Sequence, residues 1–597
     1  MQGWAGKMLY VDLSKGEIHI KKMDEQVLRL YLGGRGLGAY FVSTMVSADA
    51  DPLSEDNILA FCAGAMTGVR VPTGGRSSMS SVSPLTGTIF DSNSGSQFGV
   101  RLKWAGFDAL VIKGKADQPV WLEVTDEGAV IHPADQLWGQ EIPETVKQLK
   151  KKDTAAVSIG PAGENQVLFA SIADEKGRCF GRGGIGAVMG SKNLKAITAR
   201  GKTRPEIADK EILDFINYEA SKMINASPRT SQGLPEFGTS VLVNLMNWYG
   251  VLPTRNFQVG EFDGAENISG ERLRDEFLTK RGACWGCPIG CKRNTKTGKE
   301  EGEGPEYETI YAFGSSLEVD DFEIIIEANY LCNRLGMDTI SCGATIACAM
   351  ELAERGALDT ELAFGRADIL KDTINDIAYR QDLGDQLAEG SKRLAARYGM
   401  PDTAMQVKGL EFPAYDPRGM QGQGLLYATS NRGACHLRGN MLGPELLGAP
   451  KMLDRHATSG KAGVLIVLQH TNAVIDSIGM CKFVNFAIGD DFFARLLTAV
   501  TGQEFEVQDL MLAGERIWNL ERLFNLQAGF TYEDDTLPSR FLNSPLQEGG
   551  SAGKVVQLEE MLVEYYRFRG WTPQGVPTNK KLKVLGLDRF VQEVSHA

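Results

Sequence analysis

The sequence predicts an α+β fold: a β-rich N-terminal base followed by two mainly helical domains. Three features of the 597-residue chain predict it. Up to residue 205, short alternating runs such as Lys7–Asp12, Ala109–Lys113 and 120–124 are divided by Gly-rich turns, the pattern of half-buried strands. Beyond Pro205, apolar residues recur at intervals of three and four over 209–224, 322–335, 342–355, 366–380 and 387–398, the period of amphipathic helices. The stretch 401–432, with Pro413, Pro417 and Gly409, Gly419, Gly422 and Gly424, reads as a helix-breaking hinge or site loop, so a second boundary is placed near 405. The expected units are therefore 1–205, 206–405 and 406–597. A chain of this length has ample volume for sizeable cores.

In the first unit, glycine is the informative residue. The chain holds 68, about 11% against a usual value of about 7%. They gather in Gly33-Gly34-Arg35-Gly36-Leu37-Gly38, Thr73-Gly74-Gly75-Arg76, Asp91-Ser92-Asn93-Ser94-Gly95 and Gly181-Arg182-Gly183-Gly184-Ile185-Gly186. Without Cβ atoms, backbone N–H groups can approach an anion, and a neighbouring arginine can grip phosphate with two donors. These loops read as a cradle for several phosphates, or as tight turns of a β-rich domain. Gly181 to Gly186 has dinucleotide-binding spacing but lacks the preceding strand and the following acidic residue, which argues against a nicotinamide fold.

The second unit carries Cys284-Trp-Gly-Cys287-Pro-Ile-Gly-Cys291, a C-x2-C-x3-C triplet on a Gly/Pro-broken loop, and Cys481 can supply a distant fourth sulfur. Soft thiolates select iron–sulfur clusters or zinc over hard cations, and a four-iron cluster and a structural zinc both fit the spacing. Cys332, Cys342 and Cys348 lie in helix-like apolar runs and read as buried free thiols of a reducing compartment. A net charge of −13 with no concentrated basic surface argues against nucleic acid as a partner. No run approaches the roughly 20 apolar residues of a membrane span, and the N-terminus lacks the layout of a signal peptide, so the expected location is the cytoplasm.

Read together, the cysteine triplet, Thr73-Gly-Gly-Arg76, Gly304-Pro-Glu-Tyr-Glu308, Asn333-Arg-Leu-Gly-Met337-Asp338 and Asp476-Ser-Ile-Gly-Met480-Cys481 make the chain resemble the tungsten-containing aldehyde ferredoxin oxidoreductases over its whole length. That resemblance implies a tungsten-bis(pyranopterin) centre seated on the β-rich base, a 4Fe-4S cluster on Cys284, Cys287, Cys291 and Cys481, and Mg2+ bridging the pterin phosphates near Asn93, Gly95 and the Gly183 backbone. It implies pterin or phosphate contacts at Arg76, Arg182, Asn333, Met337, Asp338, Arg438, Asp476 and Met480. Asn333 stands where the family carries Asp. Apart from the resemblance, Asp338 reads equally as a helix cap.

The implied activity is oxidation of an aldehyde with water to a carboxylate, with electrons leaving through the cluster to ferredoxin or to an iron–sulfur or flavin partner subunit. Glu308 and His436 fall at the family's positions beside the metal. Acid–base logic makes His436 the group that polarises the carbonyl and Glu308 the base, with Tyr415 orienting substrate. Alternatives are the tungsten subunit of an aromatic acyl-CoA reductase and a non-catalytic electron-transfer subunit. Some family dimers share an iron site through Glu-x-x-His. Here the segment is Glu327-Ala-Asn-Tyr330, so oligomers or larger complexes are expected to rest on protein contacts or separate subunits.

Overall fold

The structure is a computed structural model and describes residues 2–591. Two six-stranded sheets form the N-terminal region. The first runs, edge to edge, Glu17–Lys22, Lys7–Asp12, Ala109–Lys113, Leu59–Ala63, Ser77–Val82 and Ile89–Ser94. The second runs Cys179–Phe180, Ile172–Ala173, Thr154–Ser158, Leu194–Arg200, Val120–Thr125 and Gly128–Pro133. Both mix parallel and antiparallel pairs, Lys7–Asp12 lying parallel to Ala109–Lys113 and antiparallel to Glu17–Lys22. From Lys210 onward helices dominate, and the architecture is the predicted α+β one.

Helix ends follow local chemistry. Asp209 caps Lys210–Ala226 by accepting from Ile212 N–H, and Asp321 caps Phe322–Leu335 through Ile324 N–H. Gly336, at φ 81°, ends the latter in a left-handed residue. The expected helix at 387–398 divides into Leu383–Leu387 and Ser391–Arg397, because Gly390 at φ 83° breaks the helical path.

The stretch 401–432 departs from its expected character. It contains a two-stranded hairpin and then a wholly buried helix, Gln421–Thr429. Two glycines that looked like breakers serve packing: a Cβ on Gly422 would stand 2.5 Å from Met441 Cε, and one on Gly424 2.8 Å from Val556 Cγ1. The Gly33 to Gly38 run also serves packing. It opens the helix Gly34–Met45, where a Cβ on Gly38 would lie 2.6 Å from Ser80 Cβ and one on Gly34 2.2 Å from the Asp476 carbonyl.

Those close approaches join the two ends of the chain. One continuous core holds Leu28, Phe41, Ala60 and Val111 from the N-terminal region with Ile475, Leu497, Leu520 and Phe524 from the C-terminal helices. Among the described residues no helix is long and apolar enough to cross a membrane.

Candidate active site and electron-transfer centre

The cysteine triplet occupies the tip of a hairpin between the strands Leu278–Gly282 and Lys292–Lys296. Gly286 and Gly290 take φ of 65° and 66°, a left-handed conformation that an L side chain would strain, and the loop doubles back tightly enough for Cys287 N–H to reach the Cys284 carbonyl at 3.2 Å. Ala283, Gly286 and Pro288 are exposed and the three cysteines are half-buried, so this tip lies at the surface.

Thr73-Gly-Gly-Arg76 couples the tip to Cys481. Thr73 N–H donates to the Gly286 carbonyl (3.2 Å), Thr73 Oγ1 accepts from Cys481 N–H (3.2 Å) and Arg76 N–H donates to the Gly479 carbonyl (3.2 Å). Only glycine fits at Gly75, whose Cβ would meet the Trp285 carbonyl at 2.5 Å, and at Gly95, whose Cβ would meet Cys284 Sγ at 2.5 Å.

The four thiols are electrostatic neighbours. Burial pushes Cys287 up to about 11, with Cys481 and Cys284 adding to it, and Cys291 is pushed up by burial, Glu306, Cys481 and Cys287. All four are free. Among the described residues no three His, Cys, Asp or Glu side chains converge as a single metal ion requires. Four neighbouring free thiols are a donor set for an iron–sulfur cluster or for zinc.

Deeper in, a charge network joins the first sheet to the C-terminal helices. Arg438 donates to Asp476 (2.8 Å) and Asp91 (2.6 Å), and Arg35 makes a two-pronged pair with Glu521 (2.7 Å to each oxygen). Lys482 lies 2.5 Å from Asp476, and Arg432 donates to the Asp91 carbonyl and to Cys435 Sγ (2.9 Å). Burial alone would raise the Cys435 thiol, but Arg432, Arg438 and Arg182 outweigh it and hold it below its ordinary range.

Several buried polar atoms here have no protein partner: Arg35 Nη1, Asp91 Oδ2, Arg432 Nε, Glu308 Oε1 and His436 Nδ1. Orphaned buried donors and acceptors are costly unless a ligand satisfies them; the arginine N–H groups suit a phosphate, and the Asp91 oxygen suits the N–H donors of a pterin ring. Sequence reasoning missed Arg35, Asp91, Arg432, Cys435 and Lys482 as site residues. Arginines inside Gly-rich loops were the available signal.

Other predicted residues are placed as follows. Arg182 is buried and donates to Asp338 (3.0 Å) and to the carbonyls of Glu411 (2.9 Å) and Ala434 (3.2 Å). Asp338 is the N-cap of Thr339–Glu354, accepting from Ile340 and Ser341 N–H, so its carboxylate is already shared between a cap and Arg182. Asn333 is half-buried against the Gly177 to Cys179 loop. Met337 bridges to Ala170 and Met480 is fully buried. Arg76 grips the Asn93 side chain, and the Gly183 carbonyl accepts from Ser83 Oγ (2.8 Å), which leaves each of these oxygens one free lone pair. Glu327 is buried and paired with Lys371, so its carboxylate is committed within the chain.

Glu308 and His436 do meet. Glu308 enters on the first turn of Tyr307–Phe313, and His436 opens a 3₁₀ turn, His436–Arg438. Nε2 and Oε1 stand 3.4 Å apart, and the other carboxyl oxygen of Glu308 accepts from Ala414 N–H (2.9 Å). Burial raises Glu308 to about 8, against the opposing pull of the Ala414 N–H and Arg182. Burial lowers His436 to about 3, helped by Arg182, Arg432 and Lys482. At neutral pH both are mainly uncharged, and the 3.4 Å contact is a loose acid–imidazole contact rather than an ion pair. The Tyr415 ring lies 5.4 Å from that of His436, and its phenol interacts with the Glu308 carboxyl. The structure thus brings Glu308, His436 and Tyr415 together, with Glu308 Oε1 and His436 Nδ1 lacking hydrogen-bond partners.

Comparison with known proteins gives full-length matches. Residues 8–201 match the N-terminal domain of aldehyde ferredoxin oxidoreductase, and residues 216–587 match its domains 2 and 3. The tungsten-containing aldehyde ferredoxin oxidoreductases of Pyrococcus furiosus and Thermococcus kodakarensis are each 46% identical, covering 99% of this chain and 100% of theirs. The active-site complex BamBC of benzoyl coenzyme A reductase shares the fold, with a TM-score of 0.86 at 23% identity over 99% of this chain and 98% of that one. The chain belongs to the tungsten-containing aldehyde ferredoxin oxidoreductase family.

Proposed function

We infer that the protein oxidises aldehydes to carboxylic acids: aldehyde and water yield acid, two protons and two electrons, the electrons passing singly to a ferredoxin-type acceptor. Full-length identity of 46% to tungsten-containing aldehyde ferredoxin oxidoreductases carries this reading. When bound, the tungsten-bispterin centre supplies two-electron redox chemistry at the carbonyl carbon, and the 4Fe-4S cluster takes the electrons onward. Cys284, Cys287, Cys291 and Cys481 would hold the cluster. Arg35, Arg76, Arg182, Arg432, Arg438 and Asp476 would hold the pterins. Asn93 and the Gly183 carbonyl would offer oxygens to Mg2+, which prefers such ligands beside phosphates.

The chain's own chemistry is proton handling. His436, uncharged because it is buried, presents a ring N–H to the carbonyl oxygen as negative charge develops there. Glu308 removes a proton from water in its ionised fraction, and Tyr415 holds the carboxyl in place. The buried tyrosines Tyr307 and Tyr427 pack against Tyr415 and help exclude bulk water from the trio.

Anaerobically purified protein should contain tungsten, pterin and iron and reduce a viologen dye or ferredoxin with aldehydes. Aryl-CoA thioesters are the control substrate. Protein replete in tungsten that turns over the thioester and no aldehyde would overturn the reading.

A further inference from the structure

A second cationic group lies against the cysteine hairpin, apart from the proton-handling trio. The segment 174–180 reaches from the second N-terminal sheet toward that hairpin. Lys292, the residue after Cys291, donates to the Lys176 carbonyl (2.9 Å) and pairs with one carboxylate oxygen of Glu303 (2.7 Å). Arg178 pairs with the other oxygen (2.9 Å) and lies 3.9 Å from Glu306. The side chains of Arg178, Glu303 and Lys292 are only 17%, 8% and 10% exposed. Two cations therefore share the buried Glu303 carboxylate, and the more exposed Glu306 is a second acid beside Arg178. Burial works against the charge on Arg178, but Glu303, and after it Cys284, Glu306 and Cys291, outweigh it and tighten the hold of the guanidinium on its proton.

Reducing an iron–sulfur cluster adds one electron and breaks no bond, so the cost is set by the field into which the charge is placed. Among the levers on cluster potential are net charge and solvent exposure. A mostly buried cation linked through Glu303 to Lys292, the residue after Cys291, acts through protein rather than through bulk water, where its effect would be several-fold smaller.

We propose that Arg178 is a charge-tuning residue of the electron-transfer site, raising the midpoint potential of the cluster held by Cys284, Cys287, Cys291 and Cys481, with Glu303 setting how much of that charge the cluster feels. This rests on the cluster assignment made above. The role of Lys292 is secondary, because its ammonium is also committed to the Lys176 carbonyl.

The test is an EPR-monitored redox titration of the holoenzyme, with iron and tungsten contents measured on each variant. Arg178→Met should shift the cluster midpoint downward, Arg178→Lys should keep it near wild type, and Glu303→Gln, which unmasks the cation, should shift it upward. A wild-type midpoint in fully loaded Arg178→Met overturns the proposal, as does an Arg178→Lys shift as large as that of Met. If Arg178→Met loses its iron, Glu303→Gln decides, an unmoved or lowered midpoint sinking the idea. Wild-type protein with no iron–sulfur signal removes the cluster assignment and this proposal together. A normal signal indifferent to Arg178 removes this proposal alone.

Discussion

At the residue scale the Glu308 carboxyl carries the sharpest consequences. Burial raises it to about 8, so below that pH it holds its proton, and the carboxylate, the form that acts as a base, is lost as pH falls. kcat/KM for aldehyde should therefore climb with pH, reach half its limit near pH 8 and level off above it. Glu308→Gln should lose about 10²- to 10⁴-fold in kcat, the usual worth of general acid–base catalysis, and should also lose that pH limb. Tungsten and iron should stay at wild-type levels, and a pH–rate profile with metal analysis checks all three. A Gln variant that keeps the limb would assign it to another group. Cys481 is a second residue-scale case: its N–H is held by Thr73, whose own N–H is held by the Gly286 carbonyl at the hairpin tip. Cys481→Ala should distort or abolish the cluster EPR signal and stop electron delivery to ferredoxin. Tungsten should be retained, because Asp476 keeps its partners Arg438 and Lys482.

Among the elements, the helix Gly34–Met45 is the one whose glycines tie the first sheet to the C-terminal helix Lys461–Ile478. Gly38→Ala would place a methyl 2.6 Å from Ser80 Cβ, which is not the free end of a flexible side chain. The expected cost is about 1–3 kcal/mol of overpacking, read as a lower apparent Tm. Less tungsten should also survive purification, since Arg35 rides on the same helix toward Asp91 and Asp476. Metal analysis of the variant alongside its melting curve separates the two effects. The same element shows what sequence reading leaves undecided. A Gly-x-Gly run next to an arginine describes an anion cradle and a close-packed helix equally well, and only the positions of Ser80 and of the Asp476 carbonyl reveal the packing. The helix Gln421–Thr429 was obscured in the same way, its glycines marking contacts to Met441 and Val556 rather than a break.

For the whole molecule, the shared core has a direct consequence. Leu28, Phe41 and Ala60 of the N-terminal region are covered by Ile475, Leu497 and Leu520. A fragment of residues 1–205 alone would expose that apolar face, and it should bind a hydrophobic dye strongly and unfold without a sharp transition. Co-expression with 206–597 should restore a cooperative melt. A 1–205 fragment that stays monomeric, melts sharply and ignores the dye would show that the base is an independent unit.

The sequence by itself determined what is local. The period of its apolar residues set the succession from strands to helices. The C-x2-C-x3-C spacing on a Gly/Pro loop marked a metal-binding tip, because three sulfurs within eight residues can meet without help from the rest of the chain. The resemblance carried by short motifs then brought in Glu308, His436 and Cys481. Tertiary structure decided everything that depends on segments hundreds of residues apart. It placed Arg35, Asp91, Arg432, Arg438 and Lys482 in one buried network, and it committed Asp338 to a helix cap and to Arg182. It also left Glu308 and His436 both uncharged, because their ionisation depends on burial by Tyr415 and on arginines from distant loops. A charge and its partner act over a few ångströms of space, and distance along the chain says nothing about that separation.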